Sequence, residues 1–164
     1  AFANTLVVVT ADNGMLYQPQ VDLDPTQFRI PLLLLWPGQF DSMAGRKVDR
    51  LGSQIDIVAT VMNRLPFVWD NFTFGRDLLT AKDEDPAWAQ FSDWDRVGFV
   101  MDGQYCISRI DGPSSLYRFD ISTRRLVTSQ TSESSLHSEA GRYRELGMAI
   151  FTEAYFNLFR PSGK

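Results

Sequence analysis

The chain has 164 residues, of which 44% are hydrophobic and 22% are charged, a balance typical of a compact globular protein. Its net charge is −4 and it has no large cluster of lysines and arginines, which excludes an electrostatic nucleic-acid-binding surface. The longest apolar run, Ile30–Trp36, is too short for a transmembrane helix.

The first predicted element is a strand over Leu6–Thr10, an uncharged and mostly β-branched run that is typical of a strand buried on both faces. Asp12 and Asn13 follow it, at the carboxyl end where open α/β sheets bind their ligands. Their side-chain oxygens are suited to a hard cation. The alternative for Asp12-Asn13-Gly14 is a simple turn, because Asn-Gly is a strong hairpin signal. The residues alone leave both interpretations open.

Pro31 and Pro37 bracket a short leucine-rich run, which predicts a second buried strand rather than a helix. Two such strands indicate a sheet covered on both sides. The clearest helix is predicted over Ser53–Leu65, with Ser53 as its N-cap and Asp56 completing a capping-box pattern.

The stretch Pro66–Trp94 is predicted to be a loop with an acidic run that faces solvent. Three tryptophans lie in this stretch, and we expect them to plug the edge of the core. They are Trp69, Trp88 and Trp94.

The final third changes to short alternating strands. Asp102-Gly103 lies between two apolar runs, which predicts a hairpin with a type I′ turn. Strands over Leu116–Ile121 and Leu126–Thr128 extend the hairpin into an antiparallel meander with one solvent-facing side. After a Ser/Thr-rich linker, a helix from about Ser138 to Phe159 is predicted to cover its apolar face.

The predicted fold class is therefore α/β, with α+β in the C-terminal third. We divide the chain into an α/β part, residues 1–94, and a meander with a C-terminal helix, residues 95–164. The chain begins almost directly in a strand, without an initiator methionine or a signal peptide. We therefore expect it to be a piece of a longer protein.

Few other residues are suited to catalysis. His137, the only histidine, lies in the Ser-rich linker and is predicted to be a surface or capping residue rather than a base. Cys106, the only cysteine, excludes an internal disulfide and is predicted to be a packed side chain. Asp12 and Asn13 provide two ligands, whereas calcium takes about six to eight oxygens.

Four segments in order resemble the C-terminal half of the sulfatase catalytic domain, in the alkaline phosphatase-like superfamily. They are Thr5–Gly14, Arg29–Gly38, Ser53–Val61 and Gly75–Leu79. The resemblance implies part of an alkaline phosphatase-like sandwich, with two buried strands and a helix, in which Asp12 and Asn13 bind the catalytic metal. Beyond residue 80 the likeness is looser, at Leu116–Asp120.

Two branches of the superfamily compete. An Asp-Asn pair, as in Asp12 and Asn13, is the sulfatase form and implies calcium. The surrounding segments are closer to the phosphoglycerol transferases of the lipoteichoic-acid-synthase type, which implies manganese or magnesium. The amide oxygen of Asn13 suits calcium better than an imidazole would. In either branch the substrate would be a sulfate or phosphate ester.

The resemblance also places the family's nucleophile and its other metal ligands before Ala1. We therefore expect the chain alone to be catalytically inactive. A non-catalytic binding or assembly module is the alternative from another class. The family implies a periplasmic or extracellular location, with the longer protein tethered to a membrane as one option. The opening strand would normally have neighbours from that missing part, so we expect self-association through an exposed sheet edge.

Overall fold

The computed structural model describes residues 2–14, 19, 21–82, 85–130 and 141–152. The chain divides into two compact units, Ala1–Asp49 and Arg50–Lys164. Compact packing does not by itself locate the boundary of a domain, so the division at residues 94 and 95 stays a prediction. Within the described ranges, no helix has the length and hydropathy needed to cross a bilayer.

The first unit contains a two-stranded antiparallel sheet. Strand β1 is Val7–Thr10 and strand β2 is Leu32–Leu35, so both predicted strands are confirmed. Val9 lies opposite Leu33 in the register. Short 3-10 helices complete the described part of this unit, at Phe2–Asn4, Pro25–Phe28 and Asp41–Met43.

The predicted burial of both strands is wrong for the described residues. The exposed fractions are 44% for Val9, 56% for Leu33 and 55% for Leu35. Val9 and Leu33 are cross-strand partners, and the pair Val7 and Leu35 lies on the same face. A sheet of two strands cannot bury both of its faces alone, so this apolar face meets solvent.

The second unit begins with helix α1, Ile55–Met62, which confirms the predicted helix but is shorter at both ends. Its N-cap is Gln54, so the prediction of Ser53 as the N-cap is wrong. The capping box forms on one side. The backbone N–H of Ser53 donates to Oδ2 of Asp56 at 2.8 Å, as predicted. The hydroxyl of Ser53 instead accepts a hydrogen bond from the backbone N–H of Gln90 at 2.5 Å, so it fixes a neighbouring strand and not the helix.

A five-stranded antiparallel meander follows, with its strands in sequence order. Its strands are β3 Trp88–Ser92, β4 Arg96–Met101, β5 Gln104–Arg109, β6 Ser114–Asp120 and β7 Arg125–Gln130. The type I′ turn is confirmed by the positive φ of Asp102 (52°) and Gly103 (73°). Strand β3 lies within the stretch predicted to be a loop. That prediction is wrong there because β3 is specified by its pairing with β4 rather than by a local signal.

One face of the meander packs against helix α2, residues 141–152. Phe99, Cys106 and Leu116 are successive cross-strand neighbours on this face, and Tyr143 and Ile150 of α2 pack against them. The helix approaches closely at Gly147, where a Cβ would lie 2.9 Å from Cβ of Phe99. The predicted covering helix is confirmed over these residues, and the rest of the predicted range lies outside the described residues.

The opposite face is less exposed than predicted. The four interior residues of β4 and of β5 are all buried, so a solvent-facing side is wrong for these central strands. The ring of Tyr105 stacks with Phe91 at 5.8 Å and lies 6.0 Å from Tyr117. Gly98 leaves room for Phe91, because a Cβ there would meet its ring at 2.5 Å. Aromatic side chains therefore cover each other on this face.

An ion pair joins α1 to the residues that follow it. Asp56 is 0% exposed, and its carboxylate accepts hydrogen bonds from Nη2 of Arg76 at 2.8 Å and from the backbone N–H of Arg76 at 2.7 Å. The same guanidinium donates to the carbonyl oxygens of Pro86 and Trp88, each at 2.7 Å, and lies 4.1 Å from the centre of the Trp88 ring. Arg76 therefore links α1 to β3.

Thr60 and Gly75 complete this connection. The hydroxyl of Thr60 donates to the carbonyl oxygen of Asp56 at 2.7 Å and accepts from the backbone N–H of Leu78 at 3.0 Å. At Gly75 a Cβ would lie 2.2 Å from the carbonyl oxygen of Ile55, so no larger residue fits without moving the backbone. The segments Ser53–Val61 and Gly75–Leu79, which carry part of the family resemblance, are thus joined by direct contacts.

We predict that Arg76→Leu destabilises the protein by about 3 to 5 kcal/mol, because it leaves the buried Asp56 carboxylate without its charged partner. Replacing both residues, in Asp56→Asn with Arg76→Leu, should restore part of this loss. Urea denaturation measures both effects. Arg118→Ala, at an exposed position of β6, is the control and should change stability by less than about 0.5 kcal/mol. A loss in Arg76→Leu no larger than in the control would contradict the role of the pair.

A second prediction concerns Asp120, which closes the turn between β6 and β7. The Ser122 hydroxyl, which donates to Oδ1 at 2.6 Å, is the largest cause that lowers the pKa of Asp120 from 3.8 to about 2. Because this pKa is lower in the folded state, the stabilisation is present above the ordinary value and is lost as the pH falls through the folded value. A carbon-13 NMR titration should show the low pKa, and Ser122→Ala should raise it. An unchanged pKa in that variant would refute the assignment.

Candidate metal centre

The residues after β1 form the candidate site. Asp12 and Asn13 are both exposed, and the backbone N–H of Asn13 donates to Oδ1 of Asp12 at 2.9 Å. The hydroxyl of Thr10 donates to the carbonyl oxygen of Pro31 at 2.9 Å, which ties the end of β1 to the residue before β2. The Asp12 carboxylate is therefore held by the backbone of the next residue, just after the carboxyl end of a strand.

A simple hairpin turn at Asp12-Asn13-Gly14 is wrong. A type I′ turn needs positive φ at both central residues, and neither Asn13 nor Gly14 has positive φ. The partner of Thr10 in the sheet is Leu32, so the connection between β1 and β2 is also far longer than a two-residue turn. The Asn-Gly pair does not reverse the chain here.

Gly14 is needed for space rather than for its backbone freedom. A Cβ at this position would lie 2.4 Å from the carbonyl oxygen of Gln27 and 2.9 Å from that of Arg29. The backbone after Asn13 thus packs directly on the segment that leads into β2. This close approach fixes where Asp12 and Asn13 leave the sheet.

The donor set fits part of a metal site. A carboxylate and an amide oxygen are ligands that hard divalent cations prefer. Among the described residues, no group of three or more His, Cys, Asp or Glu side chains lies together in a way that could hold a metal ion. Asp12 and Asn13 would therefore act as two members of a larger set.

The other candidates from the sequence do not extend this site. His137 lies outside the described residues. Cys106 is 1% exposed, as predicted for a packed side chain, and burial raises the pKa of its thiol while Ser108 and Arg144 oppose the shift. A buried thiol of this kind is a poor nucleophile.

Asp24 is a buried carboxylate of the first unit that no sequence pattern indicated as functional, and it is only 1% exposed. It begins the 3-10 helix Pro25–Phe28, and its Oδ1 accepts hydrogen bonds from the backbone N–H of Thr26 at 2.9 Å and its hydroxyl at 2.6 Å. The local signal was an aspartate followed by a proline at the start of a helix. These contacts give Asp24 a structural role as a helix cap.

The sulfatase family model matches residues 2–66, a segment that contains β1, the Asp12 and Asn13 pair, β2 and α1. No curated protein sequence matches the chain.

Among solved structures, a protein in the alkaline phosphatase superfamily from Vibrio parahaemolyticus is similar with a TM-score of 0.67 and 20% identity over 99% of this chain. Ps i-CgsB, alone and in complex with k-i-k-neocarrahexaose, is similar with a TM-score of 0.61 and 19% identity over 93% of this chain. The chain spans 38% of the length of each. At these identities the likeness concerns the fold, and it confirms the predicted alkaline phosphatase-like class.

We predict that Gly14→Ala destabilises the first unit and displaces Asp12 and Asn13, because its Cβ would overlap the carbonyl oxygen of Gln27. Gly141→Ala is the matched control, since a Cβ at the start of α2 meets nothing within 4 Å. Thermal unfolding followed by circular dichroism should show a lower midpoint for the first variant and little change for the second. Equal midpoints would show that the close approach at Gly14 is not required.

Proposed function

We propose, from the premise that the chain is a portion of a sulfatase-family protein, that Asp12 and Asn13 supply two oxygen ligands to the catalytic metal of an enzyme acting on sulfate or phosphate esters. The observation that carries the proposal is their exposed position at the carboxyl end of β1, inside the matched segment and without the backbone angles of a type I′ turn. The close packing of Gly14 supports the proposal, because a metal site needs ligands whose backbone is held in one position.

Each residue has a distinct part in this proposal. The Asp12 carboxylate provides negative charge, and the hydrogen bond from the backbone of Asn13 orients it. The Asn13 side chain provides a neutral oxygen. A divalent cation bound there would act as a Lewis acid on the oxygens of the ester. Calcium is favoured because the sulfatase resemblance associates an Asp-Asn pair with calcium and because an amide oxygen is a harder ligand than the imidazole of an Asp-His pair; manganese or magnesium is the alternative.

The chain by itself is proposed to lack catalytic activity, because two ligands do not complete a metal site. A hydrolase is the first candidate for the longer protein, and a phosphoglycerol transferase is the second. A non-catalytic module is the alternative from another class. Ps i-CgsB has a structure with a neocarrahexaose, so a saccharide ester is the first substrate class to test. We also propose that the longer protein acts in the periplasm or outside the cell.

Self-association is a further part of the proposal. In the described residues β1 and β2 pair only with each other, so each has an edge with unpaired backbone groups. Val9, Leu33 and Leu35 add an exposed apolar face to the same sheet. Unpaired edges and apolar faces both favour contact with a second copy.

Calorimetry tests the metal ligands directly. We expect calcium chloride titrated into the chain to bind weakly, with a dissociation constant on the order of millimolar, because most ligands of a complete site are absent. Asp12→Ala should abolish the binding, and Asp49→Ala, at another exposed carboxylate of the same unit, should leave it unchanged. The same samples should not hydrolyse 4-nitrophenyl sulfate.

Two results would contradict the proposal. Tight stoichiometric binding that Asp12→Ala removes would mean that the ligand set is already complete. Binding that survives Asp12→Ala would mean that the ion lies elsewhere.

A further inference from the structure

Trp94 is 99% exposed, which overturns the prediction that it plugs the core. Trp88, by contrast, is partly buried and packs against the core cluster of the meander. Trp94 lies in the turn between β3 and β4, which we call the Trp94 turn and define as Asp93–Asp95. The whole indole ring is therefore accessible to a ligand.

The backbone on both sides of Trp94 is fixed. The backbone N–H of Asp93 donates to the carbonyl oxygen of Arg96 at 3.1 Å, which closes the turn. The carbonyl oxygen of Asp95 accepts from the backbone N–H of Ile110 at 2.9 Å, and its carboxylate pairs with Arg109 at 2.8 Å. The Trp94 turn is therefore joined to the turn between β5 and β6. These hydrogen bonds hold the backbone from which the Trp94 side chain extends.

The Trp94 turn is flanked by charged side chains and by Ile110, which is 39% exposed. The side chains of Asp95 and Arg109 are 57% and 43% exposed, so they offer hydrogen-bond acceptors and donors at the surface. Arg96 pairs with Asp93, and Asp111 in the adjoining turn is exposed.

A second exposed patch in the same unit provides a contrast. Phe67, Val68, Phe72 and Phe74 are 53%, 97%, 81% and 47% exposed and lie close together in the sequence. A group of exposed apolar side chains like this one is typical of a surface that a partner protein covers. Trp94 is a lone ring among charged groups, so it suits a smaller and more polar ligand.

We propose that the Trp94 turn, with Arg109 and Asp111, is a binding surface for a neutral saccharide. One face of a sugar ring is lined by C–H groups, which stack on an indole. Its hydroxyl groups donate to carboxylates such as Asp95 and accept from a guanidinium such as Arg109. The three aspartates of this surface outnumber its one arginine, Arg109, even when the neighbouring Arg96 is counted, so an anionic saccharide is disfavoured. This surface is therefore proposed to bind a sugar without a sulfate or phosphate group, whatever the outcome for the Asp12 and Asn13 proposal.

Native gel electrophoresis in gels that contain a polysaccharide tests this proposal with the full chain. The probes are laminarin, hydroxyethylcellulose and galactomannan, with dextran sulfate as the anionic contrast. We expect at least one neutral gel to retard the protein and dextran sulfate not to do so. Trp94→Ala should abolish the retardation, and Trp94→Tyr should keep part of it. Both variants should stay folded, because the side chain is in solvent.

Phe72→Ala is the matched control, since it removes another exposed aromatic ring of the same unit and should leave the retardation unchanged. The proposal is overturned if none of the neutral gels retards the protein or if Trp94→Ala is retarded as strongly as the wild type. Equal loss in Phe72→Ala, or retardation by dextran sulfate alone, would also overturn it. A change of oligomeric state in Trp94→Ala without any saccharide effect would assign the ring to a protein contact instead.

Discussion

The buried carboxylate of Asp56 is the group on which the second unit depends. It has no contact with solvent. Its Oδ1 accepts a hydrogen bond from the backbone N–H of Arg76, and its Oδ2 accepts from the Arg76 guanidinium and from the backbone N–H of Ser53. A buried charge without such partners would cost several kcal/mol. The need to satisfy this one carboxylate brings together the start of α1, the segment after Gly75 and, through Arg76, the first strand of the meander.

This requirement explains part of the sequence pattern that resembles the sulfatases. Asp56 and Thr60 lie one helical turn apart, so both reach the segment that begins at Gly75. Gly75 has no side chain because the carbonyl oxygen of Ile55 occupies the space. These residues act in folding, whereas Asp12 and Asn13 are exposed to solvent. The resemblance therefore combines structural positions with a candidate site.

The sequence predicted the elements whose signals are local. Asp102-Gly103 has the left-handed backbone that its residue types favour, and α1 begins where Asp56 meets the backbone of Ser53. Strand β3 was missed because its partner strand, and not its own residues, determines it. In β6 Leu116 and Phe119 lie on opposite faces of the strand and both are buried, because both faces of the meander are covered, which a meander with one solvent-facing side does not predict.

For the candidate site, the sequence located the Asp12 and Asn13 pair because it follows an apolar strand, but it could not choose between a turn and a ligand pair. The backbone angles exclude a type I′ hairpin turn, and metal binding by the pair stays a prediction. The remaining ligands of a metal site come from separate segments that only a tertiary fold brings together, so no local pattern reveals them.

Nuclear magnetic resonance with Mn²⁺ as a paramagnetic probe tests the central claim most directly, because it detects weak binding residue by residue. If Asp12 and Asn13 are metal ligands, substoichiometric Mn²⁺ should broaden the amide signals of residues 10–14 first, and Asp12→Ala should remove this effect. Broadening centred on another carboxylate, such as Asp95 in the Trp94 turn, with unchanged signals at residues 10–14 would contradict it.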